Sequence, residues 1–115
     1  MTEIGLEELQ KATLILKAMA HPCRLRLLML LSAEEICDVA TLARLCKQQQ
    51  PYISQQLRVL RLYGLVAGDR HGQRVCYRLA NPKVEAILQI AILTNPLPTR
   101  LRTATIASNG AGGDG

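Results

Sequence analysis

Two apolar segments with helical periodicity constrain the fold of this chain more than any other feature: AMAHPCRLRLLMLL and ISQQLRVLRLYGL. In the first segment, Pro22 suits the first position of a helix, because proline lacks a backbone N–H that this position leaves unbonded in any case. Leucines then recur at helical spacing, at Leu25, Leu28 and Leu31. This segment therefore predicts a scaffold helix in the core.

The second segment combines an apolar stripe with a polar outer face. Ile53, Leu57 and Leu60 recur at i, i+4 and i+7, and Gly64 ends the element. The side chains that point away from the stripe are Ser54, Gln55 and Arg58. Hydroxyl, amide and guanidinium groups match the donors and acceptors of base edges and phosphates. This helix is therefore a candidate reader of nucleic acid.

Composition limits the class of protein. With 115 residues the chain is one small domain, and its core is aliphatic because it contains neither Trp nor Phe. No apolar run approaches the roughly 18 residues that span a bilayer. The N-terminus, MTEIGLEELQKA, carries acids and lacks a secretory pattern. We therefore expect a cytoplasmic protein with no membrane partner.

The net charge of +5 is unevenly distributed. Residues 41–80 hold seven Lys and Arg side chains against the single acid Asp69, whereas residues 1–40 hold six acids against four basic side chains. The basic half contains the candidate reading helix, which is the electrostatic pattern of a nucleic-acid binder. Taken alone, scattered arginines are more often an ordinary solvated surface.

Proline, glycine and asparagine positions predict the order of the helices. The predicted helices cover residues 6–20, 22–31, 41–46 and 51–63. A turn at 32–35 and a short extended piece at 36–38 precede the third helix. Asn81 and Pro82, as N-cap and first helical residue, open a last helix that runs to about residue 94.

Alternating apolar residues predict a hairpin between the fourth and the last helix. Its strands are residues 65–70 and 74–79, joined by His71, Gly72 and Gln73 at the tip. After Pro98 the chain ends in ASNGAGGDG, a run of small and polar residues that cannot bury a core. We therefore divide the chain into a domain at 1–95 and a flexible tail at 96–115.

This order of elements is that of a winged helix-turn-helix, mainly α with a small β-hairpin wing. Over about residues 17–79 the chain resembles the ArsR/SmtB family of bacterial transcriptional repressors, through the motifs AMAHPCRLRLLMLL, LARLCKQQQPYISQQLRVLRLYGLV and HGQRVCYRL. The resemblance implies a homodimer formed by the first and last helices, with a reading helix in each major groove. It also implies repression that an inducer relieves. Leu88 and Ile92 are predicted to pack across the dimer interface.

Residues that match the family's reading helix and wing are candidate contacts to double-stranded DNA. On and before the reading helix they are Gln49, Gln50, Tyr52, Ser54, Gln55 and Arg58. At the hairpin tip they are Arg70, His71, Gln73 and Arg74. Packing against the adjoining helix is the alternative for Tyr52, and a solvated turn is the alternative for the tip. Gln56 lies closer to the apolar stripe and is assigned a structural role.

The resemblance leaves the inducer unidentified. Family members that sense arsenic, cadmium or lead carry Cys-x-Cys-Asp before the third helix, where this chain reads EEICDVATL with Cys37 alone. Zinc-sensing members pair Asp and His on the last helix, and residues 81–94 contain neither. We therefore predict no cofactor and no standard metal site. A repressor that responds to a metal through a non-standard cysteine site remains an alternative.

Thiol chemistry is the other candidate for regulation. Members that sense sulfide or oxidants use one Cys on the second helix and one near the end of the last, but only Cys23 has such a place here. The helix dipole and neighbouring arginines are expected to lower the pKa of Cys23. Strand pairing in a winged helix brings Cys37 near Cys76, within disulfide range if the register allows. Cys46 is assigned to the core. The candidate sensors are thus Cys23, Cys37 and Cys76.

An enzyme and a protein-binding module are the two other classes of function for such a chain. His21 precedes a helix-starting proline, His71 lies on a hairpin tip, and no acid, nucleophile and His combine at a recognisable spacing. The chain is therefore predicted not to be an enzyme. A winged-helix module that binds a protein instead of DNA is the stronger rival.

Overall fold

Five helices and one hairpin follow each other in the predicted order in the computed structural model, which describes residues 3–33 and 38–93. The helices before the hairpin are α1 (Leu6–Met19), α2 (Pro22–Ala33), α3 (Val39–Cys46) and α4 (Gln50–Leu62). The hairpin strands are β1 (Val66–His71) and β2 (Arg74–Leu79), followed by α5 (Lys83–Leu88) and a π-helical turn (Gln89–Leu93). The fold is a winged helix-turn-helix, as predicted.

The core forms around α2 and α4. The predicted stripe of α4 is fully buried at Ile53, Leu57 and Leu60. On α2 the fully buried side chains are Leu27 and Leu28, whereas Leu25 is only half-buried. The reason is that α2 packs against α1, α3, α4, α5 and β2 and so has no single apolar face. Periodicity alone therefore could not predict which of its leucines would be buried most deeply.

Local hydrogen bonds shift two of the predicted helix ends. Helix α2 continues through Ser32, whose hydroxyl donates to the Glu85 carboxylate of α5 over 2.9 Å. The predicted turn at 32–35 is therefore wrong at its first two residues, and its last two lie outside the described residues. Helix α3 begins at Val39 because Asp38 is its N-cap. The Asp38 carboxylate accepts hydrogen bonds from the Thr41 backbone N–H (2.9 Å) and hydroxyl (2.8 Å).

Removal of this cap tests its contribution to stability. Asp38→Ala is expected to lower the free energy of unfolding by about 1 kcal/mol. Asp38→Asn is the matched control, because its amide oxygen still accepts the Thr41 bonds without carrying the charge. Urea denaturation of both variants and the parent at neutral pH measures the difference. Equal losses in the two variants would show that the cap bonds contribute nothing.

The same carboxylate gives the cap a pH dependence. The Thr41 backbone N–H, and then the Thr41 hydroxyl, lower the pKa of Asp38 below its ordinary value. Since the folded pKa is the lower one, the stabilisation is complete above the unfolded pKa and disappears as the pH falls through the folded pKa. The stability gap between the parent and Asp38→Asn should therefore narrow in acid. A gap that stays constant would contradict this assignment.

The wing is a tight antiparallel hairpin. Its register runs from Val66 opposite Leu79 to His71 opposite Arg74, which leaves only Gly72 and Gln73 as the loop. Gly72 has φ 68°, as the first central residue of a type II′ turn requires. The predicted three-residue tip is therefore wrong at His71, which is the last residue of β1.

A third backbone segment joins the wing. Asp38 forms an isolated antiparallel bridge with Cys76 of β2. This confirms the predicted approach of the segment before α3 to the second hairpin strand. The rest of the predicted extended piece, residues 36 and 37, lies outside the described residues, and so Cys37 itself is not described.

The last helix begins at Lys83 as α5 and continues as the π-helical turn to Leu93, the residue before its predicted end. The Asn81 side-chain oxygen accepts from the Lys83 backbone N–H over 2.9 Å, so Asn81 caps the helix start. Leu88 is only 1% exposed because α5 packs against α2, and its predicted place in the dimer interface is therefore wrong. Residue 94 and the predicted tail at 96–115 lie outside the described residues. In the described part of the chain, every helix is too short or too polar to cross a membrane.

Candidate nucleic-acid interface

A groove of about 550 Å³ lies between the outer face of α4 and the wing. Three parts of the fold form it. Helix α4 contributes Gln50, Ser54, Arg58 and Arg61. The wing contributes Arg70, Gln73, Arg74, Val75 and Tyr77, and the start of α3 contributes Asp38, Val39 and Ala40. We call this the basic groove.

The charge of the basic groove is strongly positive. Among the described residues that line it, four are arginines and one is an acid, Asp38. The acid on the wing itself, Asp69, accepts a hydrogen bond from the Arg78 guanidinium over 2.9 Å, and neither residue lines the groove. Asp69 therefore neutralises none of the groove arginines. The pKa of the groove acid Asp38 is lowered first by its hydrogen bonds from Thr41 and also by the charge of Arg74. A phosphate backbone is the external anion that a row of arginines fits.

The geometry of α4 explains why its polar side chains face the groove. Ser54, Arg58 and Arg61 follow one another at i, i+4 and i+7, each directly after a residue of the buried stripe, and so form a row along one flank of that stripe. Gln55 is exposed on the same helix, outside the lining of the groove. At the helix start, Gln49 is the N-cap residue, but its side chain makes no capping bond.

The structure brings together six of the ten predicted DNA contacts. These six line the basic groove: Gln50, Ser54, Arg58, Arg70, Gln73 and Arg74. Gln49, Gln55 and His71 are exposed at its edges or on neighbouring surfaces. Tyr52 differs from all of these. It is half-buried and packs against the core, which favours the packing alternative for this residue.

Six of the twelve groove residues are absent from the sequence prediction, and those with polar side chains are Arg61, Tyr77 and Asp38. Arg61 carries a usable signal, since it lies three positions after Arg58 on the polar face of α4. Tyr77 lies on the second strand of the predicted hairpin, opposite Gly68, and Asp38 lies in the segment predicted to approach that strand. Gly68 shows how closely the two hairpin strands pack, since a Cβ there would lie 3.2 Å from the Tyr77 ring.

Buried hydrogen bonds attach the candidate reading helix to the scaffold. Gln56 is only 7% exposed, and its side-chain oxygen accepts from the Arg24 Nε over 2.8 Å. The same guanidinium donates to the Ala18 carbonyl over 3.1 Å. Arg24 of α2 therefore joins the end of α1 to α4, and the structural role assigned to Gln56 is confirmed.

The expected lowering of the Cys23 pKa is wrong. Burial, and next the neighbouring Cys46 thiol, raise the pKa of Cys23, and these effects exceed the opposing ones of Arg24 and Tyr52. Burial also raises the pKa of Cys46, which packs against the core as predicted. In the described part of the chain, Cys23 and Cys46 are the free cysteines. Residues 3–33 and 38–93 contain no cluster of three His, Cys, Asp or Glu arranged to hold a metal ion.

Fold and site together define a helix-turn-helix protein with a basic wing, and comparison with known proteins specifies the class further. Residues 21–67 match the bacterial regulatory protein family arsR. The transcriptional regulator YgaV of Escherichia coli K12 is 37% identical over 75% of this chain and 85% of its own length. This chain belongs to the ArsR family. Since its relatives are transcriptional regulators, the prediction that it is not an enzyme is confirmed.

Two further relatives show the extent of the similarity. The transcriptional repressor SmtB of Mycobacterium tuberculosis is 35% identical over 75% of this chain, and the match spans only 63% of the SmtB length. The homodimeric winged helix-turn-helix domain of Mb0332 from Mycobacterium bovis superposes with a TM-score of 0.68. That domain is 28% identical, and the match covers 79% of this chain and 86% of the domain.

Proposed function

We propose that this protein is a transcriptional repressor that binds a palindromic DNA operator as a homodimer and is released by chemistry at its cysteines. The observation that carries the proposal is the basic groove, in which two arginines on the polar face of α4 and two arginines of the wing line one surface. Such a groove suits a helix lying in the major groove while the wing follows the flanking phosphates. Repression of a chromosomal promoter would place the protein in the cytoplasm.

Exposed apolar side chains on α1 and the π-helical turn support the dimer. The large apolar residues exposed on these two elements are Leu6, Leu9, Leu14, Leu16, Ile90 and Ile92. So many exposed leucines and isoleucines are unusual for a small monomeric domain and are typical of an interaction surface. A two-fold dimer would present two copies of α4, and its operator would have half-sites about one helical turn apart.

Two substitutions separate base reading from phosphate binding. Gln55→Ala is expected to relax base preference, because an exposed amide on α4 can pair with a base edge. Arg74→Ala is expected to weaken binding to all duplexes and to reduce the salt slope by about 2 per dimer, which loses the side chain twice. Fluorescence anisotropy on operator and random duplexes at several salt concentrations measures both effects.

Arg78→Ala is the matched control for Arg74→Ala. Both arginines lie on β2 and are exposed, but Arg78 is paired with Asp69 and lies outside the basic groove. Its loss should leave the salt slope nearly unchanged. If Gln55→Ala and Arg74→Ala both bind like the parent, the assignment of this surface to DNA is wrong.

Salt dependence also tests the rival function, a winged-helix module that binds a protein. A complex that neutralises several phosphates weakens steeply as salt rises, whereas a complex formed by apolar surfaces does not. The excess of arginine over acid in the groove favours DNA. A parent protein that shows no salt-sensitive binding to any duplex would favour the module instead.

Release through the cysteines is the regulatory part of the proposal. Either modification of Cys23, or a disulfide between Cys37 and Cys76, would alter the elements that carry the DNA contacts. The backbone β-bridge between Asp38 and Cys76 supports the disulfide route, since it brings the residue that follows Cys37 to the wing. Peroxide or polysulfide should lower operator affinity, and reductant should restore it. Release of a variant without its four cysteines, or release of the parent by a stoichiometric metal, would exclude thiol sensing.

A further inference from the structure

Three side chains from three helices meet behind the helix-turn-helix. Cys23 lies in the first turn of α2, Cys46 is the last residue of α3, and Tyr52 lies in the first turn of α4. All three are half-buried and pack against the core. Helices α2, α3 and α4 pack against one another, and the Cys46 thiol and the Tyr52 hydroxyl are both close enough to the Cys23 thiol to act on its pKa. The sequence prediction treated Cys23 and Cys46 separately, because nothing in their spacing indicates that they meet.

Hydrogen bonds fix the backbone on both sides of this thiol pair. The Arg26 guanidinium of α2 donates to the Leu45 carbonyl over 3.4 Å, next to Cys46. The Cys23 backbone N–H donates to His21 Nδ1 over 3.2 Å. Lys47, with φ 56°, ends α3 directly after Cys46 and begins the turn that leads to α4. The pair is therefore held where the scaffold meets the turn of the helix-turn-helix.

We propose that Cys23 and Cys46 form a dithiol redox site, which a hydroperoxide oxidises to an intramolecular disulfide between α2 and the end of α3. The site is distinct from Cys76 of the wing and from the disulfide proposed above between Cys37 and Cys76. Only its effect on operator affinity rests on the proposed function. The formation of the disulfide can be tested without DNA.

The reaction requires two thiols and one hydroperoxide. The first thiol, as thiolate, attacks the peroxide oxygen and breaks the O–O bond, which gives a sulfenic acid and, after protonation, water. The second sulfur attacks the sulfenic sulfur, the S–S bond forms, and hydroxide leaves with the thiol proton as a second water. For hydrogen peroxide, two thiols and one oxidant thus give one disulfide and two waters.

The surroundings of the pair indicate that its thiols are oxidised slowly. Burial favours the neutral thiols and raises the pKa of both, although Arg24 opposes this at Cys23 and Arg26 at Cys46. From α4, the group that faces the pair is the Tyr52 hydroxyl. Because the thiolate is the reactive form, oxidation should become faster as the pH rises from neutral toward the thiol pKa.

The disulfide would act on DNA binding through Tyr52. Formation of the disulfide removes the Cys23 thiol beside Tyr52, a residue near the start of the candidate reading helix. It also ties α2 to the end of α3, directly before the turn that leads to that helix. We therefore expect operator affinity to fall at least about fivefold, at the lower end of typical coupling between sites. Reduction of the disulfide should restore it.

Peptide mapping tests the site directly. A variant with Cys37→Ser and Cys76→Ser retains only the proposed pair and is oxidised with hydrogen peroxide. Trypsin then releases AMAHPCR, which contains Cys23, and LCK, which contains Cys46. The expected result is a mass for these two peptides joined by a disulfide, lost on treatment with reductant. The same mapping of the parent chain keeps the test valid if the variant does not fold.

Two further variants and one binding measurement complete the test. Cys46→Ala and Cys46→Ser should form no joined peptide, and added to the double variant they should remove its loss of affinity after peroxide. Consumption of the thiols without the joined peptide would overturn the proposal. A disulfide that forms but leaves operator affinity unchanged would overturn its regulatory role. If the reduced parent binds no operator, the proposed function fails, whereas the mapping still decides whether the site exists.

Discussion

Ile92→Asp is expected to convert the dimer into monomers and to lower operator affinity by roughly 100-fold or more. Ile92 lies on the π-helical turn and is 42% exposed in the single chain, on a surface that we propose is covered by the second copy. A carboxylate buried there without a partner opposes association. A monomer holds only one half-site and loses the avidity that links the two reading helices. Sedimentation and anisotropy measure the two effects.

Leu62→Asp is the matched control for the dimer prediction. Leu62 is 80% exposed at the end of α4, outside the two elements of the proposed interface, so the same charge is added to an exposed apolar position. Its sedimentation should match that of the parent. A parent protein that sediments as a monomer at micromolar concentration, or an Ile92→Asp variant that remains dimeric, would contradict the proposed interface.

Leu57→Ala is expected to lower the free energy of unfolding by about 2–5 kcal/mol, the largest effect on stability among these predictions. Leu57 is 0% exposed at the centre of the stripe that attaches α4 to the core. The truncation removes apolar contacts and leaves a cavity that the surrounding side chains fill only in part. Urea denaturation at one fixed protein concentration measures the loss, since stability of a dimer depends on concentration.

The same substitution at Leu62 isolates the contribution of burial. Leu62 lies on the same helix, five residues later, and its side chain is mostly exposed. Leu62→Ala should therefore change the free energy of unfolding by no more than about 0.5 kcal/mol. Comparable losses in the two variants would show that the apolar stripe of α4 is not what holds this helix on the core.

The sequence predicted the fold well wherever local chemistry decides the structure. The stripe of α4, the proline that opens α2 and the glycine in the hairpin loop each depend on neighbouring residues in the chain, and the structure confirms them. Leu88 shows where prediction from neighbouring residues fails. Its helix has apolar residues to bury both in the core and in a dimer interface, and only the packing of α5 on α2 decides between them.

The candidate site was predictable to the extent that it lies on one helix or one turn. Six groove residues were identified by their position on α4 or the wing, and Arg61 could have been found from its spacing. Tyr77 lies in the predicted hairpin opposite Gly68, whereas Asp38 reaches the groove through its long-range β-bridge to Cys76, which local spacing does not indicate. The meeting of Cys23, Cys46 and Tyr52 from three helices has the same origin.

Burial also explains why the predicted direction of the Cys23 pKa shift is wrong. Cys23 lies at a helix start next to arginines, and both features normally lower the pKa of a thiol. Its desolvation in the packed interior is the larger effect and raises that pKa instead. The degree of burial follows from how α2, α3 and α4 pack together, so sequence position alone gave the wrong sign.

The central claim is that two copies of this chain read a palindromic DNA operator through α4 and the wing. Selection of bound duplexes from a random pool, under reducing conditions, tests it most directly. We predict enrichment of an imperfect inverted repeat with half-sites about one helical turn apart, and loss of that enrichment for Ile92→Asp. Recovery of no common sequence, or of a single unrepeated site bound equally well by Ile92→Asp, would contradict the account.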